Sequence, residues 1–191
     1  MTKVGILSKK KKKRARACVC RKKCVILQRK ICTYMKRRIG IGLMMLVCCL
    51  GIQAGLPAVT LQDMNGKRVE VGALAQSGKP VVLAFFATWC KPCMRELKAI
   101  DELYAEWQEE TGVTVYLVSI DQGQDVQKVK PLVDGNGWEF PVLLDPNGTL
   151  KRAMNVQNVP HLFVVNSKGE IVYNHTGYSA GDELELPTYF K

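Results

Sequence analysis

Two cysteines, three positions apart, are the residues of this chain best suited to chemistry. Cys90 and Cys93 enclose Lys91 and Pro92 and directly follow Trp89. A thiol must ionise to attack a disulfide, and a free cysteine, with a pKa of about 8.5, is mostly protonated at neutral pH. The start of a helix favours the thiolate, because unpaired backbone N–H groups and the helix dipole stabilise negative charge there. The pair therefore predicts thiol–disulfide exchange, with Cys90 as the exposed, low-pKa nucleophile and Cys93 as the resolving thiol.

The elements that must position this pair follow from the apolar pattern. A continuous apolar run at 80–86 predicts a central strand buried on both faces. From 92 to about 110 apolar residues recur at three- and four-residue steps, which predicts a helix whose first turn contains Pro92. Cys90 then lies between a buried strand and a helix start, and Cys93 lies one turn later on the apolar face of the helix.

The other segments predict an α/β sheet of mixed direction. A hairpin opens the domain, with strands at 59–61 and 68–71 around Asn65-Gly66. Pro187 lies inside the C-terminal segment 182–191, so no long closing helix is expected there and the sheet would be less well covered at that end. Further strands are predicted at 113–120, 140–144, 162–165 and 171–173, and helices at 124–133 and 150–154.

Positive charge is confined to the beginning of the chain. The formal net charge is +11, but 16 of the 28 Lys and Arg residues and no acid lie in 1–38. The remainder carries 12 basic against all 17 acidic residues, which is ordinary for an acidic folded domain and argues against nucleic acid as a partner. Of the eight cysteines, four lie in the basic segment 1–34 and two in the apolar stretch at 48–49, so only Cys90 and Cys93 belong to the acidic body, and they do not suggest a structural disulfide framework.

The segment 35–54 has the parts of a secretory signal peptide. Basic residues at 36–38 precede an apolar stretch at 39–52, and Gly55 is the expected mature start. The stretch is short for a spanning helix, although it could remain as a membrane tether. Residues 1–34 are interpreted as a basic upstream extension without structure, and 55–191 as the folded domain. The protein is expected in the periplasm or cell envelope.

The residues around the pair resemble a known family. The segment at 85–96 reads F-F-A-T-W-C-K-P-C-M-R-E and is similar to F-W-A-T-W-C-x-P-C-x-x-E of the TlpA/ResA-like thiol:disulfide oxidoreductases, exported members of the thioredoxin superfamily. The similarity extends through 63–67, 145–148 and 158–160. It implies a thioredoxin-like fold, with a mixed central sheet flanked by helices and an N-terminal hairpin.

The resemblance also assigns roles. Pro160 would be the cis proline that faces the cysteines, which would expose the Val159 backbone for pairing with a substrate. Glu96 would be the acid that tunes the thiols and carries their protons; the alternative is a solvated helix charge. Trp89 and Pro92 would shape the substrate groove together with Val159, Pro160 and His161. His161 replaces the family's usual Thr, and it could raise the thiolate fraction or simply pack at the edge of the groove.

These features predict a reductant of protein disulfides that uses Cys90, Cys93 and Glu96 and no metal or cofactor. Its partners would be disulfide-containing proteins, in one family role those of cytochrome c maturation, and a thiol electron donor, expected in the membrane. A peroxide-reducing site is disfavoured, because its pattern needs Pro where Leu83 stands. The alternative from another class is a metal-delivery or binding module of the same fold that uses both cysteines and His161. The sequence leaves open whether the protein is a net reductase or a net oxidase.

Overall fold

The computed structural model describes residues 55–190, which fold around a seven-stranded mixed sheet. Its strands are β1 (Thr60–Asp63), β2 (Arg68–Glu70), β3 (Val81–Phe86), β4 (Thr114–Ser119), β5 (Val142–Leu144), β6 (His161–Val165) and β7 (Ile171–Thr176). They lie in the order β2-β1-β5-β4-β3-β6-β7. The pairs β3–β4 and β4–β5 are parallel, and the other neighbours are antiparallel. This confirms the predicted mixed α/β sheet.

The segments that connect these strands contain four helices. They are α1 (Val71–Leu74), α2 (Lys91–Thr111), α3 (Val126–Asn136) and α4 (Thr149–Ala153), with short 3-10 segments at Ala75–Ser77, Gly123–Asp125 and Asp182–Tyr189. The prediction that the second hairpin strand reaches Val71 is wrong. Val71 begins α1 with its side chain fully buried, while its N–H still bonds to the Val59 carbonyl at 2.8 Å.

Strand β3 is an interior strand of the sheet and leads directly into the cysteine loop. All six of its residues are buried, as the continuous apolar run predicts, and it pairs with β4 on one side and β6 on the other. Parallel strands end at the same edge of a sheet, so β3 and β4 bring Phe86 and Ser119 side by side. The cysteine loop leaves the sheet at this edge.

Helix α2 follows that loop and carries the predicted apolar stripe. Cys93, Leu97 and Ile100 are completely buried on one face, and Trp107 is nearly so. The helix begins after Cys90, with proline in its first turn, and ends at Gly112. Gly112 has φ of +69°, a left-handed conformation that glycine adopts without steric cost. The helix is thus fixed to the core along its whole length.

The C-terminal segment contains no long closing helix within the described residues, as Pro187 predicts. Residues 182–189 form a 3-10 helix. Leu186 and Phe190 are buried, and the Phe190 ring meets Trp107 of α2 edge to face with centroids 5.5 Å apart. These contacts hold the segment against α2, and the expectation that this end of the sheet is less well covered stays a prediction.

The predicted leader, residues 1–34 and 35–54, lies outside the described residues. Across residues 55–190 none of the helices combines the length and the apolar character that a membrane crossing requires.

Candidate active site

Cys90 and Cys93 form a disulfide at the start of α2. Cys90 is the N-cap residue: its backbone is extended, and its Sγ accepts a hydrogen bond from the Cys93 N–H at 3.2 Å. Cys93 is wholly buried, whereas 4% of Cys90 is exposed. The prediction that Cys90 is exposed is wrong for this disulfide-bonded form. Cys90 is nevertheless the more accessible of the two cysteines.

The surroundings of Cys90 favour negative charge on sulfur. An N-cap atom faces the unpaired N–H groups of the first helical turn and the positive end of the helix dipole. The first turn of α2 contains no acid, and Lys91 is exposed directly beside the cysteine. A reduced Cys90 would therefore be stabilised as thiolate, which is the form that attacks disulfides.

An open groove adjoins the cysteine loop. Of the five residues predicted to form the groove, Trp89 and Val159 line it, and 64% of Trp89 is exposed. The Val159–Pro160 peptide bond is cis, and within residues 55–190 the Val159 backbone has no hydrogen-bond partner on the main chain. Pro92 is half-buried in the first turn of α2. The cavity measures about 390 Å³, and its other walls are Ile120, Gln122, Asp125, Lys151, Gln157 and Asn158.

Glu96 lies one turn after Cys93 on the buried side of α2. Only 5% of the residue is exposed, and among residues 55–190 its Oε2 atom has no hydrogen-bond partner. Burial, followed by the nearby charges of Asp182 and Glu183, raises the pKa of the Glu96 carboxyl from 4.5 to about 8. A solvated helix charge is inconsistent with this burial. The carboxyl is mainly protonated at neutral pH, and its residue follows the resolving cysteine by one turn of α2.

His161, predicted to lie in the groove, packs against other residues of the sheet. Its Nδ1 lies 2.8 Å from the Thr176 hydroxyl, and its ring stacks on Phe163 with centroids 4.5 Å apart. Successive side chains of a strand point to opposite faces, so His161 lies on the face opposite Leu162, which lines the cavity around Glu96. Burial, and to a lesser degree His175, lowers the pKa of the His161 ring. These contacts describe a histidine packed in the sheet; a role in the groove stays a prediction.

The structure does not assemble the ligand set of the metal-module alternative. Within residues 55–190 no group of three His, Cys, Asp or Glu side chains is placed to hold a metal ion. Cys90 and Cys93 are joined to each other, and His161 bonds to Thr176.

Sequence reasoning missed Asp121, which fixes the loop before the cysteines. Asp121 is 1% exposed, and its carboxylate accepts hydrogen bonds from the Thr88 N–H at 2.9 Å and the Thr88 hydroxyl at 2.8 Å. The Ser119 hydroxyl donates a further bond at 2.9 Å. The signal available in the sequence was an acid directly after a buried strand, at the edge where parallel β3 and β4 both end. Asp121 thereby holds the backbone that leads into Trp89 and Cys90.

Comparisons with known proteins agree with this geometry. A profile of the AhpC/TSA family matches residues 52–174. The thiol-disulfide oxidoreductase ResA of Bacillus subtilis is 32% identical over 160 residues, covering 74% of this chain and 87% of its own. ResA of Halalkalibacterium halodurans is 34% identical over 127 residues, covering 65% of this chain and 69% of its own.

Solved structures show the same fold. An uncharacterized thioredoxin-like protein from Porphyromonas gingivalis, solved in solution, is 61% identical, with a TM-score of 0.62 over 70% of this chain and 87% of its own. The fold, the redox pair at the head of α2 and these relatives all agree. The chain therefore belongs to the AhpC/TSA family, among its thioredoxin-fold thiol-disulfide oxidoreductases of the ResA type, with Cys90 and Cys93 as the cysteine pair.

Proposed function

We propose that the protein is an exported reductant of protein disulfides. The observation that carries this proposal is the Cys90–Cys93 pair, closed at the positive end of α2 between an open groove and a buried, protonatable Glu96. A disulfide-bonded segment of a client would lie in the groove against Trp89, with its backbone beside the unpaired backbone of Val159.

The first step is attack on the client. The Cys90 thiolate forms a bond to one client sulfur, and the client disulfide breaks, so the second client sulfur leaves as a thiolate and takes a proton. The product is a mixed disulfide between Cys90 and the client. Trp89 and the groove hold the client in place during this step, while Asp121 keeps the loop at Thr88 fixed to the sheet.

The second step resolves this intermediate. Cys93 loses its proton to the ionised fraction of Glu96 and attacks the Cys90 sulfur, which releases the reduced client and forms the disulfide seen in the structure. With a pKa raised from 4.5 to about 8, the Glu96 carboxylate is a much stronger base than an ordinary glutamate, which suits it to accept a thiol proton. Two electrons pass from the dithiol to the client.

The cycle needs a dithiol donor that returns Cys90 and Cys93 to the reduced form. We infer that this donor is a membrane protein, and that the enzyme works in the periplasm or envelope, because 35–54 has the composition of a signal peptide or membrane tether. The family resemblance makes the apoproteins of c-type cytochromes one class of client.

Trapping the mixed disulfide tests the order of attack. Cys93→Ser should accumulate a dithiothreitol-sensitive adduct through Cys90 with a disulfide-containing protein such as insulin, because attack remains and resolution is lost. Cys90→Ser is the matched control and should trap nothing. Adducts through Cys93, or equal trapping by both variants, would contradict the assigned roles.

A redox titration of the wild-type Cys90–Cys93 couple tests whether the protein is a net reductant or a net oxidant. A net reductant should have a midpoint potential of about −230 mV or lower, in the range of thioredoxin and the glutaredoxins. A value near −120 mV would instead identify an oxidant, because the disulfide of such a couple is readily transferred to a client dithiol.

A further inference from the structure

The carboxyl group of Glu96 lies in a small cavity at the junction of α2, β6, β7 and the C-terminal segment. The cavity holds only about 10 Å³, which is at or below the volume needed for one water molecule. The apolar parts of its wall come from Ile100, Leu162 and Leu186. Glu96 is only 5% exposed and its Oε2 has no hydrogen-bond partner among residues 55–190, so water solvates the carboxyl poorly and its protonation depends strongly on the polar groups that share the cavity.

Those polar groups come from two elements and the loop between them. Strand β7 contributes Tyr173 and His175, and the loop after it contributes Tyr178. The C-terminal 3-10 helix contributes two acids, Asp182 and Glu183. No other titratable residue of the described chain lines the cavity.

The two acids are held in place by hydrogen bonds. Asp182 accepts a bond from the Ser179 N–H at 2.8 Å and lies 3.3 Å from His175 Nε2. The Glu183 carboxylate accepts bonds from the Gly181 N–H at 3.0 Å and from the Tyr178 hydroxyl at 3.0 Å. Burial of Leu186 and Phe190 anchors the rest of the segment. The two negative charges are thus fixed beside Glu96.

We propose that Asp182 and Glu183 are positioning residues of the redox centre, which act through Glu96 by holding its carboxyl in the protonated form. Like charges next to a buried carboxyl disfavour its ionisation. The direction agrees with the raised pKa of Glu96, for which these two acids are the causes after burial. The proposal rests on the proton-carrying role of Glu96 proposed above.

The consequence concerns the half-cycle in which the enzyme is reduced. When a donor thiolate attacks Cys90, the Cys90–Cys93 bond breaks and Cys93 leaves as a thiolate buried in the core. Protonated Glu96 can give this sulfur its proton and keep the negative charge as a carboxylate. Without the two acids a smaller fraction of Glu96 would hold that proton at neutral pH, so reduction of the disulfide would slow.

The test follows the side-chain carboxyl of Glu96 by NMR in the oxidised full-length protein, labelled with ¹³C at glutamate carboxyls and assigned with Glu96→Gln. Asp182→Asn combined with Glu183→Gln keeps the carbonyl acceptors but removes both charges. The midpoint of the Glu96 titration should fall by about 1 pH unit. Glu185→Gln is the matched control, because Glu185 is an exposed acid of the same segment and should leave the midpoint unchanged.

An unchanged midpoint in the double variant, or an equal fall in the Glu185 control, would overturn the proposal. Near-ultraviolet circular dichroism of Trp107, which packs on Phe190, shows whether the segment remains docked. If the double variant undocks it, the two single substitutions carry the test, each with a smaller fall. The single substitution Asp182→Glu keeps the negative charge and should leave the Glu96 midpoint at its wild-type value.

Rates of disulfide reduction by dithiothreitol separate this proposal from the function on which it rests. In the double variant the rate at pH 7 should fall about twofold, because a midpoint lowered by about 1 pH unit from about 8 nearly halves the protonated fraction of Glu96, and the pH profile should move down with the carboxyl midpoint. If the midpoint falls with no change in rate, the claim that the two acids speed reduction of the disulfide is refuted. Their effect on the protonation of Glu96 would still stand. A wild-type rate in Glu96→Gln would refute the proton-carrying role itself.

Discussion

Replacing Glu96 by Gln should change how the stability of the oxidised protein depends on pH. Glu96 is almost completely buried, and its pKa is raised from 4.5 to about 8 in the folded protein. Between these two values the unfolded chain has lost the Glu96 proton while the folded protein keeps it. Folding then takes up a proton, so the free energy of unfolding of the wild type falls as pH rises through this window.

The size of the effect follows from the two pKa values. Each pH unit inside the window is worth up to about 1.4 kcal/mol. Between pH 5 and pH 9 the wild type should lose about 4 kcal/mol of stability through this one group. Because Gln does not titrate, Glu96→Gln should lack this loss, and its free energy of unfolding relative to wild type should rise by about 4 kcal/mol over the same range.

Urea denaturation at several pH values between 5 and 9 measures this difference. The protein is kept oxidised so that neither cysteine titrates. Glu102→Gln, an exposed acid on the same helix, is the control and should follow the wild type. Parallel curves for Glu96→Gln and wild type, separated by a constant amount, would refute the assignment of a raised pKa to Glu96.

Three further predictions concern the loop, the groove and the leader. Asp121→Asn should destabilise the protein by about 2 kcal/mol in chemical denaturation, because the half-buried Thr88 N–H and hydroxyl lose charged acceptors; Ser119→Ala should cost less. Trp89→Ala should leave the stability within about 0.5 kcal/mol, since the side chain is 64% exposed. It should raise KM for a protein disulfide more than for a small one, and equal effects on both substrates would contradict a role in the groove. Expressed in a bacterium with its own leader, the protein should reach the envelope with Gly55 as its new N-terminus or with membrane retention; soluble cytoplasmic protein that begins at Met1 would contradict export.

Local sequence patterns predict most of the fold and the redox pair. A run of buried apolar residues predicts β3, and a 3.6-residue period with proline at its start predicts α2, because both signals are contained in neighbouring residues. The position of Cys90 and Cys93 follows from the same two elements. The spacing also placed Glu96 one turn beyond Cys93, but it left open whether that carboxyl is buried or solvated.

Contacts between distant segments decided the electrostatics of the site. Glu96 is desolvated because β6, β7 and the C-terminal segment close over α2, and two acids from that segment add their charges. Asp121 reaches Thr88 only because β3 and β4 run parallel and end at the same edge. The sequence by itself thus determined the helix, the strand and the reactive pair, which depend on local propensity and periodicity. The tertiary structure alone decided the burial and the neighbouring charges that set the pKa of Glu96, because desolvation and Coulomb interactions depend on distances between residues far apart in the chain.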